Sequence, residues 1–125
     1  MGKYSKEEKA EFIEKMRNRT KKFAVDVINV CHELPTSTAS RVISYQLIKS
    51  ATSTAANYRA ACRARSQKEF HSKISITVEE ADESFFWLNM IADTNIKTNK
   101  EEVNRLINEA KEILSIVATA RKNNS

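Results

Sequence analysis

The sequence predicts an all-α protein, an antiparallel up-down-up-down four-helix bundle, from its turn residues, its periodicity and its capping signals. Glycine and proline occur once each, as Gly2 and Pro35. Sandwiches, barrels and doubly wound sheets need Gly, Pro and Asn-Gly turns between many short elements, and this chain does not hold them. Four long stretches instead repeat apolar residues every three or four positions. Between them lie helix-start and helix-stop signals. Helices joined by short connections place sequence neighbours antiparallel. With 125 residues the chain is expected to form a single domain spanning 1–125, with helices over about 5–34, 38–63, 66–94 and 99–121.

The first helix opens on Ser5-Lys6-Glu7-Glu8, a capping-box pattern in which Ser5 and Glu8 each satisfy a free backbone N–H. Its expected inner face is Phe12, Met16, Thr20, Phe23, Val27, Val30 and Leu34, and Pro35 ends it by pushing the preceding residue out of the α region. Thr36-Ser37-Thr38 supplies N-cap candidates for the second helix, whose expected stripe is Val42, Leu47, Ala51, Thr54, Tyr58 and Ala61 or Cys62. The run from Ser50 to Ala56 is rich in mediocre helix formers, so tertiary packing must support it. Its small side chains let a neighbouring helix approach closely, and its hydroxyls can bond back to i−4 carbonyls.

A second capping-box pattern, Ser66-Gln67-Lys68-Glu69, opens the third helix, with Phe70, Ile74, Val78, Ala81, Phe85, Leu88 and Ala92 as its inner stripe. Phe85-Phe86-Trp87 cannot all face one core. Trp87 instead falls on a second stripe with Ile76, Ser84 and Ile91, placed either against a long first helix or at the surface as an apolar patch for another subunit. Ile76, Trp87 and Ile91 are therefore the candidate oligomer interface. Thr98-Asn99-Lys100-Glu101 is a third capping-box pattern, leading into Val103, Leu106, Ala110, Ile113, Val117 and Ala120, and Asn123-Asn124-Ser125 reads as a frayed tail.

Charge is segregated along the chain. The net charge is +5, from 21 basic and 16 acidic residues. Residues 36–68 hold Arg41, Lys49, Arg59, Arg63, Arg65 and Lys68 with no acid, whereas 69–93 hold Glu69, Glu79, Glu80, Asp82, Glu83 and Asp93 against Lys73 alone. A basic segment suits a polyanion, and basic beside acidic segments equally suit one helix neutralising its neighbour. Arg59 and Arg63 are an i, i+4 pair and project together. Cations at a helix C-terminus complement the macrodipole, and arginine forks also match phosphate. The six basic residues are the candidate nucleic-acid-binding set.

Other chemistries find little support. The sole glycine cannot build a phosphate-cradling loop. His32 and His71 lack the Glu-x-x-His spacing of a di-metal bundle, and Cys31 and Cys62 form no Cys-x-x-Cys pair, so no metal or cofactor is expected. The two cysteines stand roughly 35 Å apart in the expected bundle, too far for a disulfide. No constellation places a nucleophile beside a base, and an enzyme is not expected. The charged N-terminal stretch lacks a signal peptide's apolar core, and no apolar run spans a bilayer, so the expected location is cytoplasmic with no membrane partner.

A resemblance adds to this reading. Gln46-Leu47-Ile48-Lys49-Ser50-Ala51-Thr52-Ser53, Ala56-Asn57-Tyr58-Arg59, Ala61 to Phe70, and Glu79 to Ser84 leading into Trp87-Leu88 together resemble the four-helix-bundle proteins encoded within intervening sequences of 23S ribosomal RNA genes. The likeness spans nearly the whole chain and is strongest over 45–92. It implies a compact antiparallel bundle assembling as a ring, a homopentamer, without an established biochemical activity. The similar accessory variability proteins of diversity-generating retroelements imply binding of RNA or DNA. Lys49, Ala55 and Ala60 stand where arginine, glycine and glutamate are usual in the pattern, which leaves the basic region more cationic and costs Lys49 a bidentate fork. The expected function is a non-enzymatic, oligomeric bundle that binds RNA or DNA through helix 2. The alternative is a scaffold whose basic face pairs with the acidic face of the next helix or subunit.

Overall fold

The structure, a computed structural model, describes residues 4–124. It contains α1 (Lys6–His32), α2 (Thr38–Cys62), α3 (Gln67–Asp93) and α4 (Lys100–Asn123). At ~1.5 Å per residue each helix is about 36–40 Å long. Neighbours in sequence pack antiparallel around a square. The backbones of the diagonal pairs, α1 with α3 and α2 with α4, stay apart among the described residues. The α2–α3 seam is the closest and the α1–α4 seam the loosest. This is the four-helix bundle that the periodicity predicts.

The caps explain where each helix starts. Ser5 and Glu8 form the reciprocal capping box, with Glu8 N–H donating to Ser5 Oγ at 3.1 Å and Ser5 N–H to Glu8 Oε1 at 2.8 Å. The other two expected boxes differ. Ser66 accepts from Glu69 N–H at 3.0 Å, but the Glu69 carboxylate turns to the backbone N–H of Arg65 instead of Ser66. In α4 the cap is Asn99, accepting from Glu102 N–H at 3.1 Å, one residue later than Thr98. Asn123 ends α4 and Asn124 caps it, so these residues are not a frayed tail, while Ser125 lies outside the described residues.

The fully enclosed core takes Val27 from α1, Leu47 from α2, Ile74 and Leu88 from α3, and Leu106 and Ile113 from α4. Three expected core residues lie elsewhere. Phe12 is 53% exposed, because residues 4–15 all precede the point where α1 meets its neighbours. Val42 is 52% exposed, and Ile43 takes its place. A step of five residues from Val42 to Leu47 turns the helix about 140° off the stripe, whereas Ile43 is one helical repeat away. Ala92 is exposed at the end of α3.

The inner face of α3 is rotated toward α2 relative to expectation. Ile74, Thr77, Ala81, Ser84, Leu88 and Ile91 are buried, while Phe70, Val78 and Phe85 are only half-buried at its edge. The cause is the small polar seam. The Ser84 and Ser50 hydroxyls are hydrogen-bonded across the two helices at 3.0 Å, and Ser84 Oγ also lies 2.9 Å from Glu80 O. Thr20, Thr54 and Thr77 bond back to the carbonyls of Met16, Ser50 and Lys73. Back-bonding lets hydroxyls occupy a dry core without an orphaned donor. Ile91, only 1% exposed, is therefore a core residue and not available to a second subunit as the sequence suggested.

Candidate nucleic-acid interface

The outward face of α2 runs Arg41, Tyr45, Lys49, Thr52, Ala56, Arg59, Arg63, and every one of these residues is exposed. Their steps of four and three keep them on a single stripe, opposite the buried line of Ile43, Leu47, Ala51, Thr54, Tyr58 and Ala61. Burial of that small-residue line against α3 thus decides that the cations point to solvent. The stripe extends about 33 Å from Arg41 to Arg63. Arg65 lies in the connection that follows, its side chain 91% exposed and only 3.8 Å from Glu69, and Lys68 is exposed in the first turn of α3. The structure therefore brings Arg41, Lys49, Arg59 and Arg63 together on one face and leaves Arg65 and Lys68 around the end of the bundle.

These cations differ from Arg19 and Arg105. Arg19 holds Glu109 with two bonds of 2.7 and 2.8 Å and reaches Glu112 at 2.9 Å. Arg105 joins Asp26 and Glu102, both at 2.8 Å. These pairs stitch the loose α1–α4 seam and shift the groups involved. Arg19 holds the Glu109 carboxyl below its ordinary value. Burial alone raises Asp26, but Lys22 and Arg105 outweigh it and its pKa is lowered. By contrast, among the described residues Arg41, Arg59 and Arg63 form no ion pair, and none is bonded to Glu79, Glu80 or Glu83. No direct ion pair therefore joins these three arginines to the acidic run of α3 among the described residues. Lys49 stands 6.0 Å over the Tyr45 ring and opposes the upward shift that burial and Glu83 impose on Glu80.

A groove of about 620 Å³ lies between α1 and α2 beside the stripe. Arg59 and Arg63 line one wall, Arg17 and Lys21 the other, and Val25, Ile28, Ala55 and Ala56 lie between them. Arg17 is paired with Glu14 at 2.8 Å. Sequence reasoning missed Arg17 and Lys21 because residues 1–35 are nearly balanced in charge. Their i, i+4 spacing was the available signal.

Of the interface candidates on α3, Ile76 and Trp87 are half-buried, and the Trp87 indole donates to Glu83 at 3.2 Å. Phe86 and Met90 occupy the outward position instead, with the Phe86 ring held edge-on to Trp87 at 4.9 Å between centroids. Among the described residues no group of His, Cys, Asp and Glu is placed to hold a metal ion, and no helix is long and apolar enough to cross a membrane. Cys31 and Cys62 are free, and burial pushes both thiols up.

Fold and surface together define a four-helix bundle with an exposed cationic face on α2. The sequence profile of the 23S rRNA-intervening sequence protein family matches residues 14–119, and the chain belongs to that family. A solved structure, described as a protein with unknown function from the S23 ribosomal protein family of Bacteroides thetaiotaomicron VPI-5482, superposes with a TM-score of 0.78 at 28% identity. The likeness covers 88% of this chain and 97% of that one. No curated protein matches the chain.

Proposed function

We propose that this protein is a non-enzymatic, self-assembling bundle that binds RNA or DNA through the phosphate backbone, using the outward face of α2. The observation that carries the reading is the run of four cations along about 33 Å of helix with no acid on the face and no ion pair to Arg41, Arg59 or Arg63. Cations held by carboxylates serve the fold, as Arg19 and Arg105 do. Cations kept in water along one line match a polyanion, whose duplex form carries one charge per ~1.7 Å. The side chains between them, Thr52 and Ala56, are too small to read bases, and Tyr45 is the one aromatic on the stripe. Such a surface contacts phosphate and discriminates little by sequence.

The absence of catalysis in this reading rests on the pocket chemistry. The groove is lined by cations, aliphatic side chains, Asn18 and Thr52, with no carboxylate, histidine or thiol among them, and burial pushes Cys31 and Cys62 away from the thiolate that nucleophilic attack requires. Fluorescence anisotropy with a labelled duplex tests the reading. If four phosphates are neutralised per protomer, log affinity falls with log salt at a slope of roughly −3 to −4. No binding to any RNA or DNA at low salt would refute it.

A further inference from the structure

Two outward stripes in this molecule have the same layout and opposite charge. On α1 the residues Arg17, Lys21, Val25 and Ile28 form one wall of the groove, with Val25 and Ile28 left 46% and 40% exposed. On α3 the residues Glu79, Glu83, Phe86 and Met90 follow in steps of four, three and four and form an outward ridge, with Phe86 and Met90 52% and 37% exposed. In both, two charges are followed by two apolar side chains. The step from charge to apolar residue is eight and seven positions on α1 and seven and seven on α3, or about 10–12 Å along either axis.

We infer that the α1–α2 groove of one copy receives the α3 ridge of a second copy, with Glu79 and Glu83 against Arg17 and Lys21, and Phe86 and Met90 against Val25 and Ile28. The inference deepens the self-assembly proposed above and rests on it. Direction agrees with composition. Both α1 and α3 run antiparallel to α2, so they point the same way, and the two stripes match when neighbouring bundles stand parallel. Small residues on the opposite wall, Ala55 and Ala56, let a bulky ridge approach α2 closely. Phe86 enters as a rigid anchor, because Trp87 and the Trp87–Glu83 bond hold its surroundings. Glu79 forms no ion pair among the described residues and is available to a neighbour. Groove and ridge are different surfaces of one chain, so the contact is heterologous, and each copy offers one of each. Repeated around an axis, it closes a ring. Arg41 and Lys49, which do not line the groove, stay on the outside of that ring.

Sedimentation velocity across a concentration series tests the pairing, with circular dichroism showing that each variant keeps its helices. Arg17→Glu and Glu79→Lys each place like charges across the contact and raise the concentration needed for assembly by at least about tenfold. The double variant Arg17→Glu/Glu79→Lys restores the pair with its signs exchanged and recovers assembly. The control Arg17→Glu/Glu33→Lys has the same net charge but no restored pair, and stays dissociated. Rescue by both doubles alike, or a wild-type assembly indifferent to either single change, overturns the pairing while leaving self-assembly intact. A wild-type protein that is monomeric at high micromolar concentration overturns both.

Discussion

Ser84 shows how single residues set the geometry of this bundle. Its hydroxyl meets Ser50 across the α2–α3 seam with no room between the helices for a larger side chain. Each serine keeps a carbonyl within reach on its own helix, so Ser84→Ala removes one modest bond and costs roughly 0.5–1.5 kcal/mol in chemical denaturation. Ser84→Leu forces the helices apart and costs more, on the order of 1–3 kcal/mol or above. A leucine that stabilises the fold would mean that the seam is not close-packed. At the same scale, Glu109 and Asp26 have lowered pKa values in the folded state, so each contributes stability above the ordinary carboxylate range that is lost as pH falls through it. Tm should therefore decline below about pH 5, and the variant Arg19→Gln/Arg105→Gln should show a flatter acid limb. Parallel Tm profiles for variant and wild type would assign the acid sensitivity to other groups.

At the scale of the helix, the sequence disclosed the number, order and approximate ends of all four elements, because apolar spacing and caps are local signals. Pro35 and the Ser66 cap fall at the connections, within three residues of where the helices stop and start. The rotation of α3 was not legible in the same way. Ser84 and Thr77 look polar in isolation, and only the matching hydroxyls of α2 make them interior residues. The expected weight on Phe85 consequently shifts to Leu88 and Ile91. Leu88→Ala should cost about 2–5 kcal/mol, and Phe85→Ala, half-buried at the edge, clearly less than the 3–5 kcal/mol typical of an enclosed phenylalanine. Equal losses from the two substitutions would return the core to the Phe85 side. Phe12 illustrates the converse limit: it keeps the period of α1, but periodicity does not report where a helix outruns its neighbours.

At the scale of the molecule, charge is sorted by use. The α1–α4 seam, loosely packed, is bridged by ion pairs, whereas α2, held by the tightest seam, keeps its cations in water. The basic set was visible in the sequence as an acid-free segment, and Arg41, Lys49, Arg59 and Arg63 share one face because their spacing follows the helix. What the sequence did not disclose was the contribution of α1, whose Arg17 and Lys21 join the groove only through packing. The claim that the α2 stripe binds phosphate is tested most directly by the salt dependence of duplex binding for wild type and for Arg41→Gln/Lys49→Gln, two residues outside the core and outside the groove of the proposed subunit contact. The double variant should bind every oligonucleotide more weakly, by a similar factor, with a slope of log affinity against log salt shallower by about two. An unchanged slope, or a loss confined to particular sequences, would contradict the account and place the contacts elsewhere.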